Sequence, residues 1–336
     1  MALSQPRRDI HMRLLIASPH RYPALREVGS GRHPKPLPSG SGYLIHDLLV
    51  KGLAELGHDV FYLLRKGADK PLPAGVTLVS EPGMESDVLH TIAGFDEDLI
   101  KERQASGNPW VTTCHIDAQS LGQERERTTE NWIFCSRTLA ELYGSTRYVL
   151  NGVDPSEYIF SESKDDYFLF MSTTYWSVKK GLDVALSLSS QLGFKLVVAG
   201  TGLTYESINM VADMCAKVGA EYVGDVRGRQ KAELLAGARA LLFPTKVNEA
   251  FGTVMSEALM SGTPVICSDR GVCPEIISPD VGFVCKDYDD YVAAVNNIAG
   301  ISPGACRERA IREYHYLKMA ANYVVEYQKE IARNDS

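Results

Sequence analysis

Short apolar runs alternate with helix-length stretches along nearly the whole chain. Runs this short suit strands buried on both faces, and their alternation with helices predicts parallel sheets covered by helices. The first cycle opens with Arg13 to Ser18, followed by a Pro- and Gly-rich loop. A helix from about Tyr43 to Leu56 puts Leu44, Leu48 and Leu49 on a shared face, and Gly57 stops it. Strands are predicted at Asp59 to Leu64, Asp87 to His90, Trp110 to Cys114, Trp132 to Cys135 and Tyr148 to Leu150. A second cycle begins after Asn151-Gly152-Val153-Asp154. Its strands are Tyr167 to Met171, Lys195 to Ala199, Glu221 to Val223, Ala240 to Phe243, Pro264 to Cys267 and Gly282 to Val284. The polar, acidic segment 153–166 between the cycles reads as the linker. Two doubly wound domains of this kind bind ligands at the carboxyl ends of their strands, facing a shared cleft.

A length of 336 residues fits two domains. No apolar run approaches the roughly 20 residues a membrane-spanning helix requires. The polar start is not followed by the long apolar stretch of a secretory signal. A net charge of −7 argues against general nucleic-acid binding. Residues 1–70 run the other way, with eleven Lys/Arg against six Asp/Glu. That excess suits either a peripheral membrane contact or scattered solvated arginines, the commoner case. The seven cysteines form no Cys-x-x-Cys pair and several lie in strand contexts. They read as buried reduced thiols of a cytoplasmic protein, with neither a disulfide framework nor a zinc site.

The most specific segment surrounds two glutamates, Glu249 and Glu257, on either side of Ala250-Phe251-Gly252-Thr253. A strand ending at Phe243 feeds the loop, and a helix starts near Gly252 and stops at Gly262. Glu249 then lies in the loop and Glu257 about a turn and a half into the helix. Both can reach a ligand at the helix N-terminus, where free N–H groups and the helix dipole favour phosphate. Two acids flanking a helix start would by themselves be ordinary dipole compensation. The complete string, running on to Gly262-Thr263-Pro264-Val265, is what makes the ligand reading the stronger one.

This segment resembles the donor-binding signature of the retaining glycosyltransferase family four (glycosyl transferases group 1). Asn151-Gly-Val-Asp154, Gly181-Leu-Asp183, Ala199-Gly-Thr-Gly202 and Val223-Gly-Asp-Val226 follow in family order, and the resemblance spans about Arg13 to Ile331. It implies an α/β GT-B fold, with two Rossmann-like doubly wound domains facing a central cleft and a C-terminal helix crossing back to the N-terminal domain. Residues 12–152, with a crossover helix at about 314–332, would bind the acceptor. Residues 153–313 would bind the nucleotide-sugar donor.

The resemblance implies that Glu249 contacts donor-sugar hydroxyls, Glu257 accepts from the ribose, and Lys180 carries the diphosphate, with Lys179 the alternative. Phe251, Gly252 and Thr253 would offer backbone N–H groups, and Ser172, Thr173 and Val226 would complete the donor site. His115, at the carboxyl end of a strand, matches a functional histidine of the family, although a structural histidine looks much the same. Asp117 is a weaker candidate beside it. Gly40, Ser41 and Gly42 match the acceptor and phosphate loop. One departure stands out, because relatives carry Gly-Arg shortly before the lysine and this chain has Met171-Ser-Thr-Thr-Tyr-Trp-Ser-Val-Lys179. Hydroxyls of Ser172, Thr173 or Thr174 can replace part of the arginine's hydrogen bonding but none of its charge, for which Arg227 or Arg229 are the available substitutes.

There is no Asp-x-Asp of the kind that metal-dependent transferases of the other common fold use for a nucleotide-bound cation, so no metal or other cofactor is expected, and the nucleotide diphosphate sugar enters as substrate. The implied activity is retaining, hexosyl-type transfer from a nucleotide-sugar donor to a hydroxyl acceptor, with the leaving phosphate taking the acceptor's proton. A sugar-nucleotide epimerase or hydrolase, and a non-catalytic nucleotide-sugar binder, are the alternatives.

Overall fold

A computed structural model of the chain describes residues 11–24, 41–125, 128–200, 202 and 204–334. They divide into two compact units, one made of 11–24, 41–152 and 315–334, the other of 153–314. The first unit contains β1 (Arg13–Ser18), α1 (Ser41–Glu55), β2 (Asp59–Leu64), β3 (Val76–Val79), β4 (Val88–Ile92), α2 (Glu97–Ser106), β5 (Trp110–Cys114), β6 (Trp132–Phe134) and α3 (Arg137–Leu142). The second contains β7 (Phe168–Met171), α4 (Leu182–Leu192), β8 (Leu196–Ala199), α5 (Tyr205–Val218), β9 (Glu221–Gly224), α6 (Gly228–Gly237), β10 (Ala240–Phe243), α7 (Thr253–Met260), β11 (Val265–Ser268), α8 (Cys273–Ile276), β12 (Gly282–Cys285), α9 (Tyr288–Asn297) and α10 (Pro303–Tyr314). A last helix, α11 (Tyr316–Asn334), returns to the first unit.

Each unit holds one six-stranded parallel sheet, ordered β3-β2-β1-β4-β5-β6 and β9-β8-β7-β10-β11-β12. This is the α/β architecture that the alternating pattern predicts. Two details differ. β3, Val-Thr-Leu-Val, is a further strand at the sheet edge, with Thr77 and Leu78 exposed. Tyr148 to Leu150 makes only an isolated bridge, Phe134 to Tyr148, before the chain turns into Asn151-Gly152.

The first unit's core brings Ile45, Leu49 and Leu53 of α1 onto Leu14, Ile16, Val60 and Val111 of the sheet. Met319, Ala320, Tyr323 and Tyr327 of α11 complete the same cluster. Charge then fixes the helix. Arg147 pairs with the nearly buried Glu326 (2.5 Å) and Glu330 (2.9 Å), and Arg333 bridges to Glu130 (2.5 Å). The second unit's core packs Leu182 and Leu186 of α4, Val211 of α5 and Tyr291 of α9 on Phe168, Val198, Leu242 and Ile266.

The segment 153–166, expected as a linker, is docked on the second unit instead. Lys164 Nζ donates to Ala236 O (2.8 Å) at the end of α6 and to Thr263 Oγ1 (2.9 Å), and Asp165 N–H donates to Gly237 O (2.7 Å). Polar composition here serves helix ends whose carbonyls lack intrahelical partners.

Candidate functional site

In the second unit, the loops leaving β7, β10 and β11 are stitched together at the carboxyl edge of the sheet. Lys246 N–H donates to Lys179 O (2.9 Å), and Val272 N–H donates to Glu249 O (3.0 Å). Two glycines permit this closeness. Gly181 sits at φ 85°, and a Cβ there would lie 2.0 Å from Pro244 O. At Gly271, φ 55°, a Cβ would lie 2.3 Å from Glu249 N. Any side chain at either position would push the two loops apart.

The stitching brings Lys180 and Glu249 together as an ion pair, their side chains 19% and 15% exposed. The Lys180 ammonium also lies 5.9 Å from the ring centres of both Trp176 and Phe243. Lys179 is instead exposed, its ammonium 5.0 Å from the Trp176 ring centre. Lys180, of the two lysines, is thus the one facing the glutamate.

Beyond Glu249, Gly252 (φ 66°) caps α7, which begins at Thr253. The Thr253 hydroxyl is buried without a partner, and Phe251 is buried with its ring edge toward Tyr314. Glu257 is also buried, on the second turn of α7. Its Oε1 accepts from the Tyr158 hydroxyl (2.9 Å), and its Oε2 pairs with Lys231 Nζ (2.6 Å). Burial, then the adjacent Glu257 charge, raises the Tyr158 hydroxyl well above its ordinary pKa, so it stays a donor.

The hydroxyls beside the missing arginine are largely committed. Ser172 Oγ donates to Thr173 O (3.1 Å), and Thr174 Oγ1 is bonded to Ser207 Oγ (2.9 Å). Arg227 is held by Asp225 (2.5 Å), and Arg229, 87% exposed, pairs with Glu233 (2.7 Å). Val226 is buried at the start of α6.

In the first unit His115 lies at the carboxyl end of β5, its ring against Gly42 in the first turn of α1. Both ring nitrogens are buried with no hydrogen-bond partner, and burial pushes the pKa down to about 4. The His46 ring is 6.1 Å away, with Nδ1 on Ser18 Oγ (2.7 Å) and Nε2 unpartnered. Asp117 is held by a two-pronged contact from Arg125 (2.8 and 2.9 Å). Ser41 opens α1, and Gly40 lies outside the described residues. A cleft of about 720 Å³ beside Glu130, Arg147 and Glu330 is walled by the α11 ion pairs and lies at the amino end of β6.

Two residues at the site have no sequence signal. Tyr158 and Lys231 reach Glu257 from other segments, and no local spacing announces either contact. Among the described residues no group of three or more His, Cys, Asp or Glu side chains could hold a metal ion.

Residues 157–313 match the family model "Glycosyl transferases group 1". The O-antigen chain mannosyltransferase RfbU of Salmonella typhimurium is 26% identical over 153 residues, 45% of this chain and 43% of its own length. The D-rhamnosyltransferase WbpZ of Pseudomonas aeruginosa is 25% identical over 268 residues, 73% of this chain and 68% of that one. The first of these matches thus spans less than half of the relative. Among solved structures, AviGT4, a glycosyltransferase involved in avilamycin A biosynthesis, superposes with a TM-score of 0.73 at 25% identity, covering 95% of this chain and 98% of its own. Residues 157–313 are thus similar to the group 1 glycosyl transferases, and the chain as a whole has the fold of AviGT4.

Proposed function

We propose that the chain transfers a hexosyl group from a nucleotide diphosphate sugar to a hydroxyl acceptor, with retention of configuration and without a metal ion. The observation that carries this reading is the Lys180–Glu249 ion pair beside the N-terminus of α7. Departure of a nucleoside diphosphate builds negative charge on a phosphate oxygen. An ammonium and the free N–H groups of a helix start, already fixed in place, favour that charge more in the transition state than in the ground state. Glu249, freed from Lys180 as the lysine turns to the phosphate, is then available to the sugar hydroxyls. With no side-chain base assigned to the acceptor proton, the departing phosphate oxygen accepts it on the same face, and the anomeric configuration is kept.

The names of the mannosyl- and rhamnosyltransferase relatives support a hexose donor. The seven cysteines, all buried and none in a disulfide, suit a reducing compartment, and the cytoplasm is the proposed location. No helix among the described residues is long and apolar enough to cross a membrane. The test is incubation with a panel of nucleotide sugars, with and without hydroxyl acceptors. Acceptor-dependent release of nucleoside diphosphate with a retained anomer is expected. Equal release without acceptor would make the protein a hydrolase, and no release with any donor would remove the activity altogether.

A further inference from the structure

His20 lies two residues past β1, in the first unit, and its side chain is only 6% exposed. Its Nε2 is 2.9 Å from Asp47 Oδ1 on α1. The same carboxylate accepts from the Tyr62 hydroxyl (2.8 Å) on Oδ1 and from the Ala24 N–H (2.7 Å) on Oδ2. Burial, then the Asp47 charge, raises the Tyr62 hydroxyl well above its ordinary pKa, so it stays a donor. A carboxylate held by such donors accepts from His20 as well, which puts the ring hydrogen on Nε2 and leaves the lone pair on Nδ1. That Nδ1 is buried with no hydrogen-bond partner in the protein. Buried polar atoms are nearly always hydrogen-bonded, so an orphaned lone pair is a place for a ligand's donor. Only an O–H or N–H satisfies it. A phosphate or carboxylate oxygen brings a second acceptor, and the Asp47 carboxylate behind the ring repels its charge.

Aromatic rings stand beside this atom. Tyr43 of α1 stacks on the imidazole (5.1 Å, 21°), and Phe95 stands edge-on to Tyr43 (6.1 Å). Phe95 is 38% exposed and sits between Gly94 (φ 83°) and Asp96 (φ 57°). Asp96 is the one non-glycine residue with positive φ among the described residues, and Arg65 holds its carboxylate at 2.6 and 2.7 Å. Backbone strain fixed in this way is typical of segments that present a side chain to a ligand. We infer that His20, set in its tautomer by Asp47, binds a hydroxyl of an uncharged sugar or cyclitol acceptor whose C–H face lies on Tyr43 and Phe95. This rests on the reading of the chain as a transferase to a hydroxyl acceptor. A pyranose or cyclitol ring carries both elements, hydroxyls around its rim and C–H groups on its faces. The hydroxyl at His20 is not the one that reacts, so His20 binds the acceptor and does not take the reaction's proton. Asp47 acts through His20, as a positioning residue.

The experiment gives the full chain whichever nucleotide sugar it turns over, and compares acceptors. The neutral set is the methyl glucosides, galactosides and mannosides with myo-inositol, and the anionic set is glucose 6-phosphate and glucuronic acid. Transfer to a neutral ring is expected, with both anions at least about tenfold poorer in kcat/KM. His20→Phe keeps a ring on Tyr43 and removes the lone pair. It should raise the KM of the neutral acceptor about tenfold while kcat changes by less than about threefold, as loss of a binding contact does. Phe95→Ala, at an exposed position, should raise that KM several-fold, and it carries the test if His20→Phe fails to fold. An unchanged KM, a loss confined to kcat, or a preference for the anionic rings would each overturn the inference. Donor hydrolysis without transfer to any neutral ring would overturn it too and leave the donor reading standing. Absence of turnover with every nucleotide sugar would remove the transferase reading on which it depends.

Discussion

The two units share one strand order, yet their carboxyl edges differ in chemistry. Around β7, β10 and β11 the second unit gathers paired charges, Lys180 with Glu249 and Lys231 with Glu257. Around β1 and β5 the first unit has pairs of its own, such as Arg125 with Asp117, and adds imidazoles that burial keeps neutral: His46 well below its ordinary pKa and His115 at about 4. None of the eight histidines falls within 153–314. Topology therefore says where a ligand can sit, and the loop side chains decide what kind. A charged edge suits a diphosphate. Neutral imidazoles, each able to donate and accept, suit uncharged hydroxyls. The units also differ in how the chain closes them, one from a contiguous stretch and the other with a helix from far along the sequence.

The largest expected effect separates the units by stability. Arg147→Ala leaves Glu326 and Glu330 buried without their main countercharge, a loss of about 3–5 kcal/mol. Hydrogen exchange read peptide by peptide should show protection lost in 11–24, 41–152 and 316–334 and kept in 153–314. Equal loss in both would mean that they unfold as one body.

Next comes the charged edge itself. Glu249→Gln should cut turnover by about two orders of magnitude, or ~2.7 kcal/mol, with nucleoside diphosphate affinity nearly unchanged. Wild-type turnover in that variant would take Glu249 out of the reaction. Lys180→Ala is expected to slow transfer by at least about tenfold, since a charge-assisted hydrogen bond contributes ~1.5–3 kcal/mol. If rate and donor affinity both survive, the diphosphate charge is met elsewhere and the pairing with Glu249 is only structural.

Acid should distinguish the units more gently. His115, at about 4, and His90, at about 3, lie below the unfolded value near 6.5, in each case mainly through burial. The unfolded state therefore binds more protons in that interval, so stability is complete above about pH 6.5 and declines towards pH 4. Trp110 and Trp132 report on the first unit and Trp176 on the second. The denaturant midpoint seen by the first pair is expected to fall between pH 7 and 5 more than that seen by Trp176 in a protein whose other tryptophans are replaced by Phe. A larger fall at Trp176 would reverse the comparison. Smallest of all is the response to chelation: excess EDTA should leave the rate within about twofold, given Lys180 and the α7 amides as the phosphate's countercharge. A rate abolished by EDTA and restored by magnesium would end the metal-free proposal.

The fold was legible because buried parallel strands are short apolar runs, and β1, β5 and β10 begin and end at the residues that their apolar character marks. β3 was not, since its four residues lie at the sheet edge, two of them exposed, between Pro- and Gly-containing flanks that read as loop. Lys180 and Glu249 stood out as members of recognisable strings, and the stitched loops bring them together. Tyr158 and Lys231 did not, because the partner of a buried charge is chosen by tertiary packing and leaves no periodicity. The segment 153–166 looked like a linker for the same reason: Lys164 is polar in sequence, yet it caps the ends of two helices. Arg227 and Arg229, natural substitutes for the absent arginine by charge, turn out to have their own carboxylates.

The return of α11 also bears on the order in which the protein can be completed during synthesis. The apolar face of α1, with Leu49 and Leu53, has no cover until Met319, Ala320 and Tyr323 are made. At roughly 5–20 residues per second, the ribosome spends on the order of ten seconds or more between the last strand of the first unit and that helix. Residues 153–314 need nothing made later, so the unit translated second can be finished first. Over that interval the nascent chain carries a half-built domain with an open hydrophobic groove, the kind of surface that chaperones hold. A chain terminated just after Tyr314 would strand the first unit while leaving the second intact.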